Sequence, residues 1–320
     1  MEKRILVINL KPELVQIERL KQMLPNWEVV ADNDPDHLEH YLKEAEIILH
    51  WKKAIAPTIL EENTRLKWIQ TWSAGVNNLP LEALQARGVC VTSANGVHAY
   101  PISETIFALM LGFTRKIHTY VRQQQVKTWH HAHLSGEIHK KTIGIIGVGA
   151  IGKETAKIAK AFKMKVLGVR HSGNPADDVD QMFQPEQLDE MLPQCDYVVI
   201  TLPLTTETTH MFAAPQFKRM KDSALLINIG RGPIIQEEDL IEALEQKEIA
   251  GAGLDVFATE PLPEDSPLWE MDNVIITPHT AGATEYYATR VIEDIFLPNL
   301  EHYIQGETPN KNLVNFEKGY

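Results

Sequence analysis

Residues 142–152, reading Thr-Ile-Gly-Ile-Ile-Gly-Val-Gly-Ala-Ile-Gly, constrain the fold of this chain more than any other stretch. An isoleucine-rich run short enough for a buried parallel strand breaks into Gly147-x-Gly149-x-x-Gly152 and continues through Lys153-Glu-Thr-Ala-Lys-Ile-Ala-Lys, a sequence of good helix formers. The order predicted is strand, tight turn, helix. The three glycines serve separate physical ends. Gly147 makes the turn, Gly149 lets backbone approach a pyrophosphate, and Gly152 lets the helix lie close to the strand. Phosphates would sit at the positive end of that helix.

A chain of 320 residues, 44% hydrophobic and 23% charged, is long enough for two cores. The alternation of short apolar runs with helical ones fits α/β architecture throughout. In the first hundred residues the runs begin at Arg4, Glu46, Leu66 and Val89, which predicts a parallel sheet. From Lys141 to His279 strand and helix alternate six times, at Thr142–Gly147, Lys165–Arg170, Tyr197–Leu202, Ala224–Gly230, Gly251–Phe257 and Val274–His279. Six parallel strands opened by a dinucleotide turn describe a doubly wound domain. Between the two units, Ile102 to Phe113 reads as a helix apolar around most of its circumference, expected to be buried between domains or subunits. A last helix, from about Thr284 to Ile304, is expected to return to the first domain.

Several function classes are disfavoured. A net charge of -12 argues against a nucleic-acid partner, and Lys153, Lys157 and Lys160 read as a solvated helix face. Cys90 and Cys195 are the only cysteines, too few for a disulfide framework or a thiolate metal site, so a reducing cytoplasm is favoured. Met1-Glu-Lys-Arg leads into a first strand and not a signal peptide, and no apolar segment is long enough for a bilayer, so no membrane partner is expected. His130, His131 and His133 cluster beside Trp129, but no carboxylate or cysteine stands at ligand spacing and no metal is expected.

One loop, one strand end and three segment ends carry the candidate ligand contacts. Ser73-Ala74-Gly75-Val76-Asn77 follows a strand, and ligands of open α/β sheets bind at such carboxyl ends; the small residues leave backbone amides bare for a carboxylate. The strand Lys165–Val169 runs into Arg170-His171-Ser172, where a carboxylate selective for NAD would stand. A guanidinium there suits a 2′-phosphate, so NADP is preferred, with NAD possible. Arg231, Glu260 and His279 close three separate segments of the same domain. Reducing a 2-keto acid needs a proton donor, a cation for the carboxylate and a hydride carrier; His279, Arg231 and the coenzyme would supply them. A carboxylate at Glu260 would favour the charged imidazole.

These residues together resemble the D-isomer-specific 2-hydroxyacid dehydrogenase family over nearly the whole chain. The resemblance rests on Ser-Ala-Gly-Val at Ser73, the glycine turn, Thr-Leu-Pro-Leu at Thr201, Asn-Ile-Gly-Arg-Gly at Asn228, Leu-Asp-Val-Phe with Glu-Pro-Leu at Leu254 and Glu260, and Pro-His-Thr-Ala-Gly at Pro278. It implies a flavodoxin-like, discontinuous substrate domain (1–100 and 286–320), an inserted Rossmann cofactor domain (101–285), a cleft between them and a homodimer. It implies His279 as acid and base, Glu260 as its orienting partner, and Arg231 on the substrate carboxylate and carbonyl, with Ala74, Gly75 and Val76 as further substrate contacts. Asp255 would face the nicotinamide amide, while Ala150, Ile151, Leu202, Pro203, Ile229 and Gly282 line the cofactor. Arg170-His171-Ser172 and Trp51-Lys52 are similar to the glyoxylate/hydroxypyruvate reductase branch. Trp51 reads equally as a pocket wall or an edge residue. Glu260 argues against the formate dehydrogenase branch, which has glutamine there. An end at Tyr320 leaves no room for the regulatory domains common in 3-phosphoglycerate dehydrogenases, which makes that activity the less favoured alternative. A coenzyme-sensing corepressor is the other alternative. Trp129 is a candidate to reach a partner subunit's cleft.

Overall fold

The computed structural model describes residues 4–76 and 78–316. Met1 to Lys3, Asn77 of the carboxylate loop and the 317–320 end lie outside the described residues. Packing divides the chain into two compact units, one running to Val97 and resuming at Thr284, the other from His98 to Ala283.

The first unit holds five parallel strands, β1 (Arg4–Ile8), β2 (Trp27–Ala31), β3 (Ile47–Leu49), β4 (Trp68–Gln70) and β5 (Cys90–Thr92), in the order β2-β1-β3-β4-β5. That is the flavodoxin-like order, with its switch point between β1 and β3. The two-residue period of the strands sorts the core. Ile5, Val7, Ile48, Ile69 and Val91 face one layer. Leu6, Ile8, Ile47, Leu49 and Trp68 face the other. Helix α1 (Leu14–Met23) and the chain's last helical run cover the second face through Leu20, Ile292, Phe296 and Leu300, and the Trp68 and Phe296 rings stack at 4.9 Å. The first face carries α2 (Pro35–Leu42), capped by Asp34 with proline in its first turn, and α3 (Leu81–Ala86).

The second unit holds seven parallel strands: β6 (Thr142–Ile146), β7 (Lys165–Val169), β8 (Gln181–Phe183), β9 (Tyr197–Ile200), β10 (Leu225–Asn228), β11 (Gly251–Leu254) and β12 (Val274–Ile276). Their order, β12-β11-β10-β9-β6-β7-β8, is doubly wound with the switch between β6 and β9. On one face lie α4 (Ala99–Thr114) and, after α5 (Ile117–Gln125), α6 (Ala150–Ala161). Ile106, Phe107, Leu109 and Met110 of α4 pack with Ile143, Ile145, Val199 and Ile227 of the sheet. The all-round apolarity of α4 therefore has a partner within this unit. Gly253 has no side chain, and a Cβ there would stand 3.2 Å from Leu109, so α4 lies directly on β11.

Three sequence expectations need correction. The first sheet has five strands where the sequence shows four apolar runs, because β2 is an edge strand half-buried along its length and lacks a continuous apolar run. The second has seven where the sequence shows six: β8 is a three-residue edge strand beginning on an exposed glutamine. The final helix starts three residues later than Thr284 and is not regular: α-helical Tyr287–Thr289 passes without a break into a wide π-helical segment, Arg290–Phe296, and then Leu297–Ile304.

Candidate active site

The glycine turn closes β6 as a preformed anion cradle. Gly147 takes φ +105°, a conformation open to glycine and costly for other residues. The Thr201 hydroxyl, just past β9, donates to the Gly147 carbonyl at 2.6 Å and holds the turn from the other side of the switch point. A Cβ on Gly152 would meet that same carbonyl at 2.5 Å, so only glycine lets α6 start this close to the turn. A Cβ on Gly149 would meet no heavy atom within 4 Å. Gly149 is the N-cap of α6 and no side chain caps it, so the amides of Ala150 and Ile151 remain for an anion. These features fit a dinucleotide pyrophosphate. Leu202 lies against Gly147, Pro203 follows it at the surface, and the Ile229 amide donates to the Ile200 carbonyl, placing Ile229 on the same row of strand ends. Arg170, His171 and Ser172 follow β7, the strand beside β6; His171 and Ser172 are exposed, and the Ser172 hydroxyl accepts from the Asn174 amide.

His279 and Glu260 meet directly. Nδ1 of His279 stands 2.7 Å from one Glu260 carboxylate oxygen, and the other oxygen accepts the Phe257 amide at 3.0 Å. Burial pushes the Glu260 carboxyl up, but the His279 hydrogen bond, the Phe257 amide and the nearby charges of His279 and Arg231 outweigh it and hold the group below the ordinary carboxylate range. The ring keeps Nε2 for other work and is half exposed. His279 also has φ +53°, strained for a non-glycine residue. Asp255 supplies the compensation: fully buried after β11, its carboxylate accepts the Thr277 hydroxyl at 2.6 Å and the amides of Thr280 and Ala281 on either side of the histidine.

Arg231 is held by backbone crowding. Asn228 is buried; its side-chain oxygen accepts the Gly230 amide and its nitrogen donates to the Arg231 carbonyl. A Cβ on Gly232 would fall 1.8 Å from the Phe257 carbonyl oxygen, so the Arg231 turn and the Phe257–Glu260 loop are in backbone contact. Thus Arg231, Glu260 and His279 come together, although β10, β11 and β12 deliver them separately. The sequence alone does not reveal Asn228, Thr201, Gly232 or the loop-holding role of Asp255. The first three lie inside family motifs, but nothing in spacing distinguishes a residue that shapes a turn from one that faces a ligand.

In the first unit the Ala74-Gly75-Val76 loop follows β4. Ser73 donates its hydroxyl to the Gly75 carbonyl, Val76 is anchored in the core, and a Cβ on Gly75 would meet nothing within 4 Å. Trp51 is no edge residue: it is buried in the core cluster of this unit, and Lys52 beside it is partly exposed. His130 and His131 stack and His133 meets both edge-on, and among the described residues no group of three or more His, Cys, Asp or Glu side chains is arranged to hold a metal ion.

Residues 107–281 match the family described as D-isomer specific 2-hydroxyacid dehydrogenase, NAD binding domain. A protein of Escherichia fergusonii named glyoxylate/hydroxypyruvate reductase B is 34% identical over 96% of this chain and 98% of its own length. The chain belongs to this dehydrogenase family. Among solved structures, a D-isomer specific 2-hydroxyacid dehydrogenase family protein from Aeromonas salmonicida is similar at TM-score 0.80 and 36% identity, covering 98% of this chain and all of that one. An NADPH-dependent glyoxylate/hydroxypyruvate reductase from Sinorhizobium meliloti, solved with NADP and sulfate, is similar at TM-score 0.76 and 28% identity over 99% of this chain and all of its own. As a member of the family's glyoxylate/hydroxypyruvate reductase branch, the dehydrogenase is an oxidoreductase acting on CH–OH donors.

Proposed function

We propose that the dehydrogenase reduces glyoxylate, hydroxypyruvate or a similarly short 2-keto acid to the 2-hydroxy acid, with NADPH preferred over NADH. The observation that carries the reading is the 2.7 Å contact between His279 and Glu260 beside the Arg231 turn. When bound, the reduced nicotinamide supplies the hydride that goes to the carbonyl carbon. The protein's residues do the rest. Nε2 of His279 delivers its proton to the carbonyl oxygen as the C–H bond forms, so one hydride and one proton convert C=O to CH–OH and leave the imidazole neutral. Glu260 accepts at the Nδ1 side of the ring and fixes its orientation, which turns Nε2 towards the substrate. Arg231 holds the substrate carboxylate and polarises the carbonyl, and the amides of Ala74, Gly75 and Val76 are assigned a second hold on the carboxylate.

The coenzyme is assigned to Gly147, Gly149, Ala150, Ile151 and Gly152 at its pyrophosphate, to Leu202, Pro203, Ile229 and Gly282 along its length, and to Asp255 at the carboxamide. Arg170, His171 and Ser172 are assigned the 2′-phosphate, which the absence of a carboxylate at the end of β7 supports. The substrate domain is assigned to 1–100 with 286–320 and the cofactor domain to 101–285. A homodimer in the cytoplasm completes the reading. Ile117, Val121, Val126 and Trp129 stand exposed on and just after α5, an apolar strip that a second copy would cover. Among the described residues no helix is long and apolar enough to cross a membrane. The direct test is loss of NADPH absorbance with a panel of short 2-keto acids, repeated with NADH. Turnover of glyoxylate or hydroxypyruvate, faster with NADPH, is expected; coenzyme binding without turnover of any keto acid would overturn the assignment in favour of a coenzyme-sensing protein.

A further inference from the structure

The loop that carries His279 is secured unevenly. On its inner side Asp255 takes three donors, as described above. At its exit the Gly282 carbonyl accepts a hydrogen bond from Nδ1 of His98, 3.0 Å away, across a sequence separation of 184 residues. A carbonyl can only accept, so Nδ1 of His98 carries a proton in this contact. The approach is close by construction. A Cβ on Gly282 would stand 3.0 Å from the same nitrogen and 3.5 Å from two ring carbons, so the imidazole lies over bare backbone that a larger residue would crowd.

His98 is well placed to act as a fixed point. It is the N-cap of α4, and in its third and fourth turns that helix is locked into the core of the second unit through Ile106, Phe107, Leu109 and Met110. The loop exit has no comparable anchor of its own among the described residues. His279 is in a strained left-handed conformation, the Ala283 amide bonds only back to Thr280, and Thr277 to Gly282 form neither helix nor strand. A strained residue persists only when its surroundings over-determine it.

We propose that His98 is a positioning residue for the reaction: through Nδ1–H it ties the Gly282 carbonyl to α4 and so fixes the exit of the loop that presents His279. The proposal rests on the assignment of His279 as the proton donor. Its signature is a kcat effect, because the tether orients the acid and touches no substrate.

The experiment compares His98→Leu, which fills similar space without a donor, with His98→Asn, whose side-chain nitrogen reproduces the position of Nδ1. In His98→Leu, kcat should fall roughly 3- to 10-fold, the worth of one hydrogen bond, with KM for the keto acid unchanged. Deuterium exchange of the peptide spanning 277–284 should accelerate in the same variant. His98→Asn should restore both. Parental kcat and exchange in His98→Leu would overturn the proposal, and so would equal impairment of the two variants. If His279→Ala keeps parental turnover, the assigned mechanism fails instead; the exchange measurement still judges the tether, since it reads the loop without any catalysis.

Discussion

Replacing Glu260 by Gln isolates what the charge at this position does. The glutamate uses both oxygens: one accepts the Phe257 amide at 3.0 Å, the other meets Nδ1 of His279 at 2.7 Å. Glutamine offers one accepting oxygen and one amide nitrogen that can only donate. It can satisfy Phe257 or receive the histidine proton, but not both, and it carries no charge to favour the imidazolium. The pair is partly solvated, with about a third of the glutamate side chain and half of the histidine exposed. Two unit charges at hydrogen-bonding distance in so wet a site are worth about 1 kcal/mol, far below the value for a dry interior. That corresponds to a loss of about 5-fold in kcat/KM for keto-acid reduction near neutral pH, well short of the effect of losing the acid itself. The sign with pH follows from the Glu260 carboxyl, which is held below its ordinary range. Its support for the imidazolium is fully present above that range and lost only as pH falls through the depressed value. The variant should therefore match the parent only in strong acid, where the Glu260 carboxyl is neutral, and fall behind it at every higher pH. Steady-state kcat/KM across pH with saturating NADPH makes the measurement. Superimposable profiles would refute the reasoning, since the carboxylate would then be a structural strut alone.

Other tests separate the remaining roles. His279→Ala should lower kcat by about 10²-fold or more while coenzyme binding, read by fluorescence of the reduced nicotinamide, is retained. Arg170→Asp should move preference towards NADH by removing the partner of a 2′-phosphate and supplying a partner for a 2′-hydroxyl; the ratio of kcat/KM values for the two coenzymes decides it. Gly232→Ala and Gly149→Ala form a contrasting pair. The first forces a Cβ to within 1.8 Å of the Phe257 carbonyl and should lower Tm and kcat together. The second meets no heavy atom within 4 Å and should leave Tm unchanged while weakening coenzyme binding, if the pyrophosphate lies on Gly149 as proposed. Native Cys195 should resist alkylation at neutral pH, since burial pushes its thiol up to about 12.

The parts of the fold legible in the sequence share one physical property, which is burial on both faces. Strands such as β6, β9 and β10 are covered by helices above and below and so read as unbroken apolar runs. The edge strands β2 and β8 carry half-solvated residues and show no such run. Likewise α4 has the composition of an interface helix because apolar residues surround it, whereas its buried residues pack on the sheet of its own unit. Sequence periodicity reports how much of a helix is covered, and it is silent on what covers it.

The site divides along a similar line. By itself the sequence determined the chemical inventory: a glycine turn for a dinucleotide, a cation after β7, and an arginine, a glutamate and a histidine at three segment ends. Each follows from local constraints on φ, charge or side-chain chemistry. Only tertiary structure decided how the inventory is held, because contacts between residues far apart in the chain have no local trace. The Asp255 carboxylate holds the His279 loop, the Phe257 carbonyl occupies the space of a side chain at Gly232, and the His98 ring lies over Gly282.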